Sequence, residues 1–449
     1  MKVKRLQISL KPQLLHKYNL PAHLKAVIPM TNKKNAVVTF SGNPEIEATI
    51  YLTGSKSESN RALIISALSK GLVKVKNLSD AADTVILSEI LASLHDSASG
   101  NKTIDVGHAG TAMRFLTAYL PTLNRSFELT GSKRMQERPV KLLTEALNTL
   151  GATIDYKEES GYPPLLISGN FKQKTNRIRI KGDVSSQYIS ALLIIAPTLE
   201  LGLFLEIEGY LTSEPYVRMT LKMLEEAGIR YAWNDQVIHI EHQEFRDATL
   251  VVEPDWSAAS YWYSIVALSE KARITLPYLK EDSLQGDSRI ESIMDAFGVR
   301  SVRTEEGVQL SSAPLDVAHK DVLDLKDCPD LAQTIIVCAA AKGINLKLTG
   351  LETLKIKETN RVKAMQNELA KIGVELLEED LIYTLDCSNL NFPEKVTFKT
   401  YDDHRMAMAF APLAMLIKEV EMEDYQVVEK SYPDFWNDLT KAGFSINEL

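Results

Sequence analysis

The sequence predicts an α/β protein of two domains, each built from three repeats of a β-α-β-α-β-β unit around buried helices. Two recurring patterns carry that expectation. In the first, an amphipathic helix runs into a glycine and then a β-rich segment: LTEALNTLGATIDY, LKMLEEAGIRYAW, IESIMDAFGVRSV, QNELAKIGVELLE and NDLTKAGFSINEL. The glycines, Gly151, Gly228, Gly298, Gly373 and Gly443, recur roughly every 70 to 77 residues. Each stands where a helix would end in a left-handed cap that glycine adopts cheaply, and spacing this regular suggests duplication. In the second pattern a polar start leads into a helix of small and apolar residues.

Taken in chain order, the second pattern gives SKSESNRALIISAL from Ser55, HAGTAMRFLTAYL from His108 and DVSSQYISALLIIA from Asp183. It returns as DWSAASYWYSIVAL from Asp255, CPDLAQTIIVCAAA from Cys328 and DDHRMAMAFAPLAM from Asp402. Apolar residues on nearly all sides predict helices inside a domain, and Ser, Thr and Asp at the starts are expected to cap them. The most apolar stretch, Ile189 to Leu205, is interrupted by Pro197 and Glu200, so it reads as a buried helix followed by a strand rather than a membrane span. Near Glu253 and Pro254, β-rich TLVVEP meets the next polar cap, which predicts a crossing between domains. The expected boundaries are 1–53 plus 254–449 for one domain and 54–253 for the other.

Length alone, 449 residues, would suit about three domains, but six repeats divide better into two. The 51 Lys+Arg against 59 Asp+Glu leave a net charge of −8, which argues against nonspecific nucleic-acid binding. The basic start, MKVKRLQISLKPQLLHKY, lacks the apolar core of a secretory signal and is expected to belong to the mature chain. Cys328, Cys338 and Cys387 show neither metal-site nor disulfide spacing, so a reduced cytoplasmic compartment without zinc is expected. His239 and His242 are three apart in a strand-like segment, which puts them on opposite faces and disfavours a shared metal.

In an acidic chain the cations gather at helix starts. TGSKSESNRA carries Lys56, Ser57 and Arg61 without the spacing of a P-loop. Related segments carry Arg114 in GHAGTAMR, Arg134 and Arg138 in KRMQERP, and Lys357, Glu358 and Arg361 in LKIKETNR. His404 and Arg405 follow in YDDHRMAM and Lys430 in EKSYPD. The helix dipole makes Lys and Arg mildly unfavourable at such positions, so binding of an anionic ligand explains the set better than stability does. Asp330 in DCPDLAQT and Glu358 are the carboxylates available for proton chemistry, each with a structural alternative as a cap or ion-pair partner. No G-x-S-x-G elbow suggests a serine hydrolase.

From about Ile50 onward, GSKSESNRA, AGTAMR, RMQERP, DVSSQY, EPYV, LKIKETNR and DDHRMAM stand in an order that resembles the enolpyruvyl transferase family, in the branch whose acceptor is shikimate 3-phosphate. The resemblance implies a two-domain fold, an inside-out α/β barrel in which three repeats per domain surround buried helices, with the active site in the interdomain cleft. It implies transfer of the enolpyruvyl group of phosphoenolpyruvate to the 5-hydroxyl of shikimate 3-phosphate, by addition and elimination, on the route to chorismate and aromatic amino acids. Carried over, it places shikimate 3-phosphate against Lys56, Ser57, Arg61, Ser185, Ser186, Gln187, Ser213, Asp330 and Lys357. It places phosphoenolpyruvate against Lys56, Gly110, Arg138, Gln187, Arg361, Arg405 and Lys430. Asp330 would take the hydroxyl proton, and Glu358, with Lys56, would protonate the methylene carbon. A monomer acting on small molecules, without cofactor or metal, nucleic acid or membrane, is implied.

The chain departs from the family pattern at Thr53, His108 and Phe115, where proline, asparagine and proline are usual, and at Thr353, where a substrate-contacting asparagine is usual. The branch that uses UDP-N-acetylglucosamine typically has a reactive cysteine in the loop corresponding to TGSKRMQERP, and this loop has none. A noncatalytic descendant should have lost Asp330, Glu358 or several cations, and all are present.

Overall fold

Each of the six polar-to-apolar segments folds as a helix: α1 (Lys56–Leu68), α2 (Gly110–Tyr119), α3 (Ser186–Ile195), α4 (Trp256–Leu268), α5 (Ala332–Ala341) and α6 (His404–Phe410). Every residue of α2, α5 and α6 is buried, as apolar character on all sides requires. This computed structural model describes residues 33–41, 45–94, 102–183, 185–315 and 322–449. The basic opening segment lies outside the described residues, as does part of the N-terminal stretch expected in the first domain.

Two compact units result. One comprises the described residues within 54–79 and 83–252, and the other those within 33–53, 80–82 and 253–449. In the first unit α1, α2 and α3 pack on one another, and in the second α4, α5 and α6 do the same. The sheets wrap these helices and expose their polar face, as the alternation of Arg177–Lys181 illustrates with Ile178 and Ile180 inward. They remain separate sheets, and no single barrel closes among the described residues.

A complete repeat runs from Lys102 to Ile167: strand Lys102–Asp105, α2, strand Phe127–Thr130, helix Lys141–Leu150, then strands Ile154–Tyr156 and Leu165–Ile167. Its first two strands pair in parallel across the buried helix, and the last two add antiparallel. The same order recurs from Arg177 to Ile240. In the second unit two of the three sheets borrow strands from the N-terminal segment. Glu45–Thr49 pairs in parallel with Lys271–Pro277, and Ala36–Phe40 lies between Glu419–Met422 and Phe444–Glu448.

The repeat that contains α1 departs from expectation. Among the described residues its sheet has only two strands, Ala248–Val251 parallel to Val73–Lys76, with α1 and helix Ala82–Ser93 following the repeat order. Capping also differs in part. Ser55, Ser185, Asp255 and Asp403 accept from the backbone N–H groups of Glu58, Gln187, Ala258 and Arg405. α2 and α5 have no side-chain cap. α5 grows out of a tight turn, Pro329–Leu331, whose first carbonyl accepts the N–H of Ala332, and Asp330 sits in the middle of that turn.

The five recurring glycines all adopt positive φ, between 72° and 117°. At Gly151 a side chain would also collide, because a Cβ there would lie 2.0 Å from the carbonyl oxygen of Lys172. The core of the second unit is rich in aromatics, with Trp256, Trp262, Phe398, Phe410 and Phe435 all buried. Each such side chain contributes roughly 1.5 to 3 kcal/mol, which anchors α4, and α6 whose N-terminus carries Arg405.

Candidate active site

The helix starts of each unit gather the cations picked out in the sequence. In the first unit, Lys56 at the head of α1 lies 3.7 Å from Asp83. One turn on, Arg61 is buried and held by neutral groups: Thr220 Oγ1 at 2.7 Å, Ser190 Oγ at 2.9 Å, the carbonyl of Ser57 at 2.9 Å and that of Tyr216 at 3.3 Å. Its guanidinium also lies 5.4 Å from the ring centre of Phe115, one of the departures from the family pattern. Burial lowers its pKa to about 10, partly opposed by Tyr216 and Glu58.

Gly110 opens α2 directly against Arg138. A Cβ at this position would lie 2.6 Å from Arg138 Nη1, so only glycine lets the guanidinium approach the helix start. Gln187, in the first turn of α3, donates to Thr111 Oγ1 at 3.2 Å and so joins the starts of two buried helices. Ser185 is the cap of α3, and Ser186 is its first residue. Ser213 precedes helix Glu214–Glu226 with a positive φ of 55°. His108 Nδ1 lies 3.0 Å from Ser132 Oγ, on the loop that leads to Arg138.

Two other cations of this unit have structural posts. Arg114 donates to the carbonyls of Gly110 and Pro139 and to Met135 Sδ, which ties the loop to α2. Arg134 is 40% exposed and pairs with Glu137 at 2.9 Å, so its place in the anion-binding set is not supported by geometry.

In the second unit the charged residues form one network. Arg361 is buried and engages three carboxylates: Asp403 at 2.7 Å, Glu358 at 2.9 Å and Asp330 at 3.0 Å. Arg405 reaches the other oxygen of Asp330 at 2.8 Å, Lys357 lies 3.9 Å from Asp330, and Lys430 lies 3.2 Å from Glu358. Arg361, Arg405, Lys357 and Lys430 thus alternate with Asp403, Glu358 and Asp330 in a partly dry setting. Burial acts to lower the pKa of Arg361, but Asp403, Glu358 and Asp330 outweigh it and hold the guanidinium charged. Burial likewise opposes the charge on Arg405, with Asp330 the largest opposing influence, and the outcome is again well above the ordinary value.

Sequence reasoning missed the partners of these cations. Asp83, Ser190, Thr220, Ser257 and Asp287 stand in no motif with the residues they touch, and Asp403 could be read only as a helix cap. His404 is buried, with Nδ1 3.7 Å from Asp403 Oδ1. Cys328, Cys338 and Cys387 are free and buried, and none of them belongs to the Gly131–Pro139 loop.

The pattern of the family described as EPSP synthase (3-phosphoshikimate 1-carboxyvinyltransferase) matches residues 41–439. The chain belongs to the EPSP synthase family. It is 46% identical over 409 residues to the 3-phosphoshikimate 1-carboxyvinyltransferase of Bacteroides fragilis strain YCH46, covering 91% of this chain and 98% of that one. It is 34% identical over 436 residues to the enzyme of the same name from Haemophilus influenzae strain KW20, covering 90% and 98%. Among solved structures, EPSP synthase from Acinetobacter baumannii superposes with a TM-score of 0.72 at 18% identity, covering 92% of this chain and all of that one. The enolpyruvyl transferase NikO from Streptomyces tendae superposes with a TM-score of 0.69 at 16% identity, covering 93% and 99%. These likenesses place the two units in the enolpyruvyl transferase fold. As a member of the EPSP synthase family the chain is a transferase acting on small molecules, and no helix among its described residues is long and apolar enough to cross a membrane.

Proposed function

We propose that the two sets of side chains act on one pair of substrates, joining the enolpyruvyl group of phosphoenolpyruvate to the 5-hydroxyl of shikimate 3-phosphate. The observation that carries this reading is Asp330: a carboxylate gripped by Arg361 and Arg405, on the turn that leads into a buried helix. Asp330 takes the hydroxyl proton as the oxygen attacks the enol carbon of phosphoenolpyruvate, and Glu358, with Lys56, delivers a proton to the methylene carbon. The addition product then expels phosphate and returns a proton of the new methyl group to Glu358, which forms the enol ether.

The cations supply electrostatic stabilisation that needs no reorganisation during the reaction. Lys56, Gly110, Arg138, Gln187, Arg361, Arg405 and Lys430 hold phosphoenolpyruvate, with the Gly110 backbone serving as donor. Lys56, Ser57, Arg61, Ser185, Ser186, Gln187, Ser213, Asp330 and Lys357 hold shikimate 3-phosphate. In this reading the working unit is a monomer, and three buried thiols without disulfides fit a reducing, cytoplasmic setting.

The test is phosphate release from phosphoenolpyruvate with shikimate 3-phosphate or UDP-N-acetylglucosamine as acceptor, in the native protein and in Asp330→Asn. Release only with shikimate 3-phosphate, and a fall of about a hundredfold or more in the variant, is expected. Release only with the sugar nucleotide would overturn the acceptor, and an undiminished variant would overturn the base.

A further inference from the structure

The loop Gln285–Arg289 lies against the start of α4. Gln285 accepts from the backbone N–H of Trp256 at 2.9 Å and donates to the carbonyl of Pro254 at 2.9 Å, which fixes the loop from both sides. Beside it Asp287 is 2% exposed. Its Oδ2 accepts a short hydrogen bond from Ser257, whose Oγ accepts in turn from Arg405 Nη2 at 3.3 Å. The same Arg405 nitrogen donates to Asp330 Oδ2 at 2.8 Å. A chain of side chains thus runs from Asp287 through Ser257 to Arg405 and the proposed base.

The far oxygen of Asp287, Oδ1, is buried with no hydrogen-bond partner. Oδ2 has an acceptor's role already, because the Ser257 hydroxyl donates to it. A buried carboxylate with one oxygen unpaired is costly, whereas a carboxylic acid with its proton on Oδ1 is not burdened by that charge. The charged and titratable groups that act on it or on which it acts include Asp330, Arg405, Asp255 and Cys328. Burial is the largest influence on Asp287 and repulsion by Asp330 the next; despite Arg405 and Ser257 they push its pKa up to about 7.

We propose that Asp287 is a positioning residue that works in its neutral form, holding Ser257 so that Arg405 stays turned toward Asp330. An ionised Asp287 would add a second negative charge beside Asp330 and draw on the same guanidinium that an anionic substrate needs. The inference rests on the reading of Asp330 and Arg405 as site residues given above. No atom of Asp287 touches substrate in this scheme, and no proton leaves it during turnover.

The experiment is steady-state kinetics from about pH 6 to 9 on the native protein, Asp287→Asn, Asp287→Ala, Ser257→Ala and Asp330→Asn, with infrared difference spectra of native protein against Asp287→Asn. The native KM for phosphoenolpyruvate should rise about tenfold as one group ionises above neutrality, with KM for shikimate 3-phosphate moving much less. Asp287→Ala and Ser257→Ala should raise KM for phosphoenolpyruvate about tenfold at neutral pH. Asp287→Asn should recover most of the loss seen in Asp287→Ala and flatten the pH profile, since an amide stays neutral throughout. The spectra should contain the carbonyl band of a protonated acid at low pH that fades as pH rises. A loss in Asp287→Asn equal to that in Asp287→Ala, or the absence of the acid band at low pH, overturns the proposal. An active Asp330→Asn would instead sink the assignment of the base, so the two failures are separable.

Discussion

Arg361 Nε donates to Asp403 Oδ2 at 2.7 Å, with the two side chains 2% and 0% exposed. The same carboxylate accepts the N–H of Arg405 at 2.9 Å, so one acid orients two site arginines, one by its charge and one by capping α6. Removing one partner of a buried pair leaves the other uncompensated, which typically costs about 3 to 5 kcal/mol. Asp403→Ala should therefore lower stability by about that amount in urea unfolding and raise KM for phosphoenolpyruvate tenfold or more. Unchanged stability would mean that Asp330 and Glu358 suffice to hold Arg361.

Gly110→Ala should weaken phosphoenolpyruvate binding without unfolding the first unit. The added carbon falls 2.6 Å from Arg138 Nη1, the end of a side chain that can swing away. The protein should therefore lose the placement of a cation rather than its packing, and KM for phosphoenolpyruvate should rise about tenfold. Calorimetry should find the melting temperature little changed, and a large drop would place the collision in the backbone instead.

Arg134 and Arg138, four residues apart in one motif, should behave oppositely. Arg134 makes an exposed pair with Glu137, and such pairs are worth about 0 to 1 kcal/mol. Arg138 is buried against Gly110. Arg134→Ala is expected to leave kcat/KM within about twofold, and Arg138→Ala to lower it a hundredfold or more. Equal losses would return Arg134 to the site.

Asp287→Asn should stabilise the protein, and more so as pH rises. An acid with a higher pKa folded than unfolded binds protons on folding between the two values. Its contribution is complete below the unfolded value near 3.8 and is lost as pH rises through about 7. The amide does not ionise and escapes that loss, so its advantage over the native protein should grow to a few kcal/mol between about pH 5 and pH 8. Urea titrations across that range measure it; an advantage independent of pH would assign the effect to packing.

The elements that were legible in the sequence are those with local causes. α1 through α6 announce themselves by apolar residues on every side, and the five glycines by a backbone conformation that other residues resist. The sheet strands Ala36–Phe40 and Glu45–Thr49 could not be assigned partners, because their pairs at Glu419–Met422 and Lys271–Pro277 are hundreds of residues away. The cations of the site were legible because charge at a helix start runs against the dipole, and Arg134 shows where that signal fails, since an exposed pair three residues on satisfies it. The acids that orient the cations were not legible. Asp83, Asp287 and Asp403 reach Lys56, Ser257 and Arg361 through tertiary packing, which leaves no spacing to read.

Arg61 poses the sharpest question of role, because it is a buried cation that donates to the neutral groups Thr220, Ser57, Ser190 and Tyr216. Its removal would not strand them: Thr220 Oγ1 donates to Ser190 Oγ at 2.9 Å, and lies 2.9 Å from the Tyr216 carbonyl. A buried charge retained at the cost of desolvation makes sense if the phosphate of the acceptor completes it. Arg61→Met should then melt within a few degrees of the native protein. Shikimate 3-phosphate at about a hundred times its Kd should stabilise the native protein by about 2.7 kcal/mol, while at the same concentration the variant should gain little. A destabilised variant that the ligand still protects fully would assign Arg61 to the fold alone.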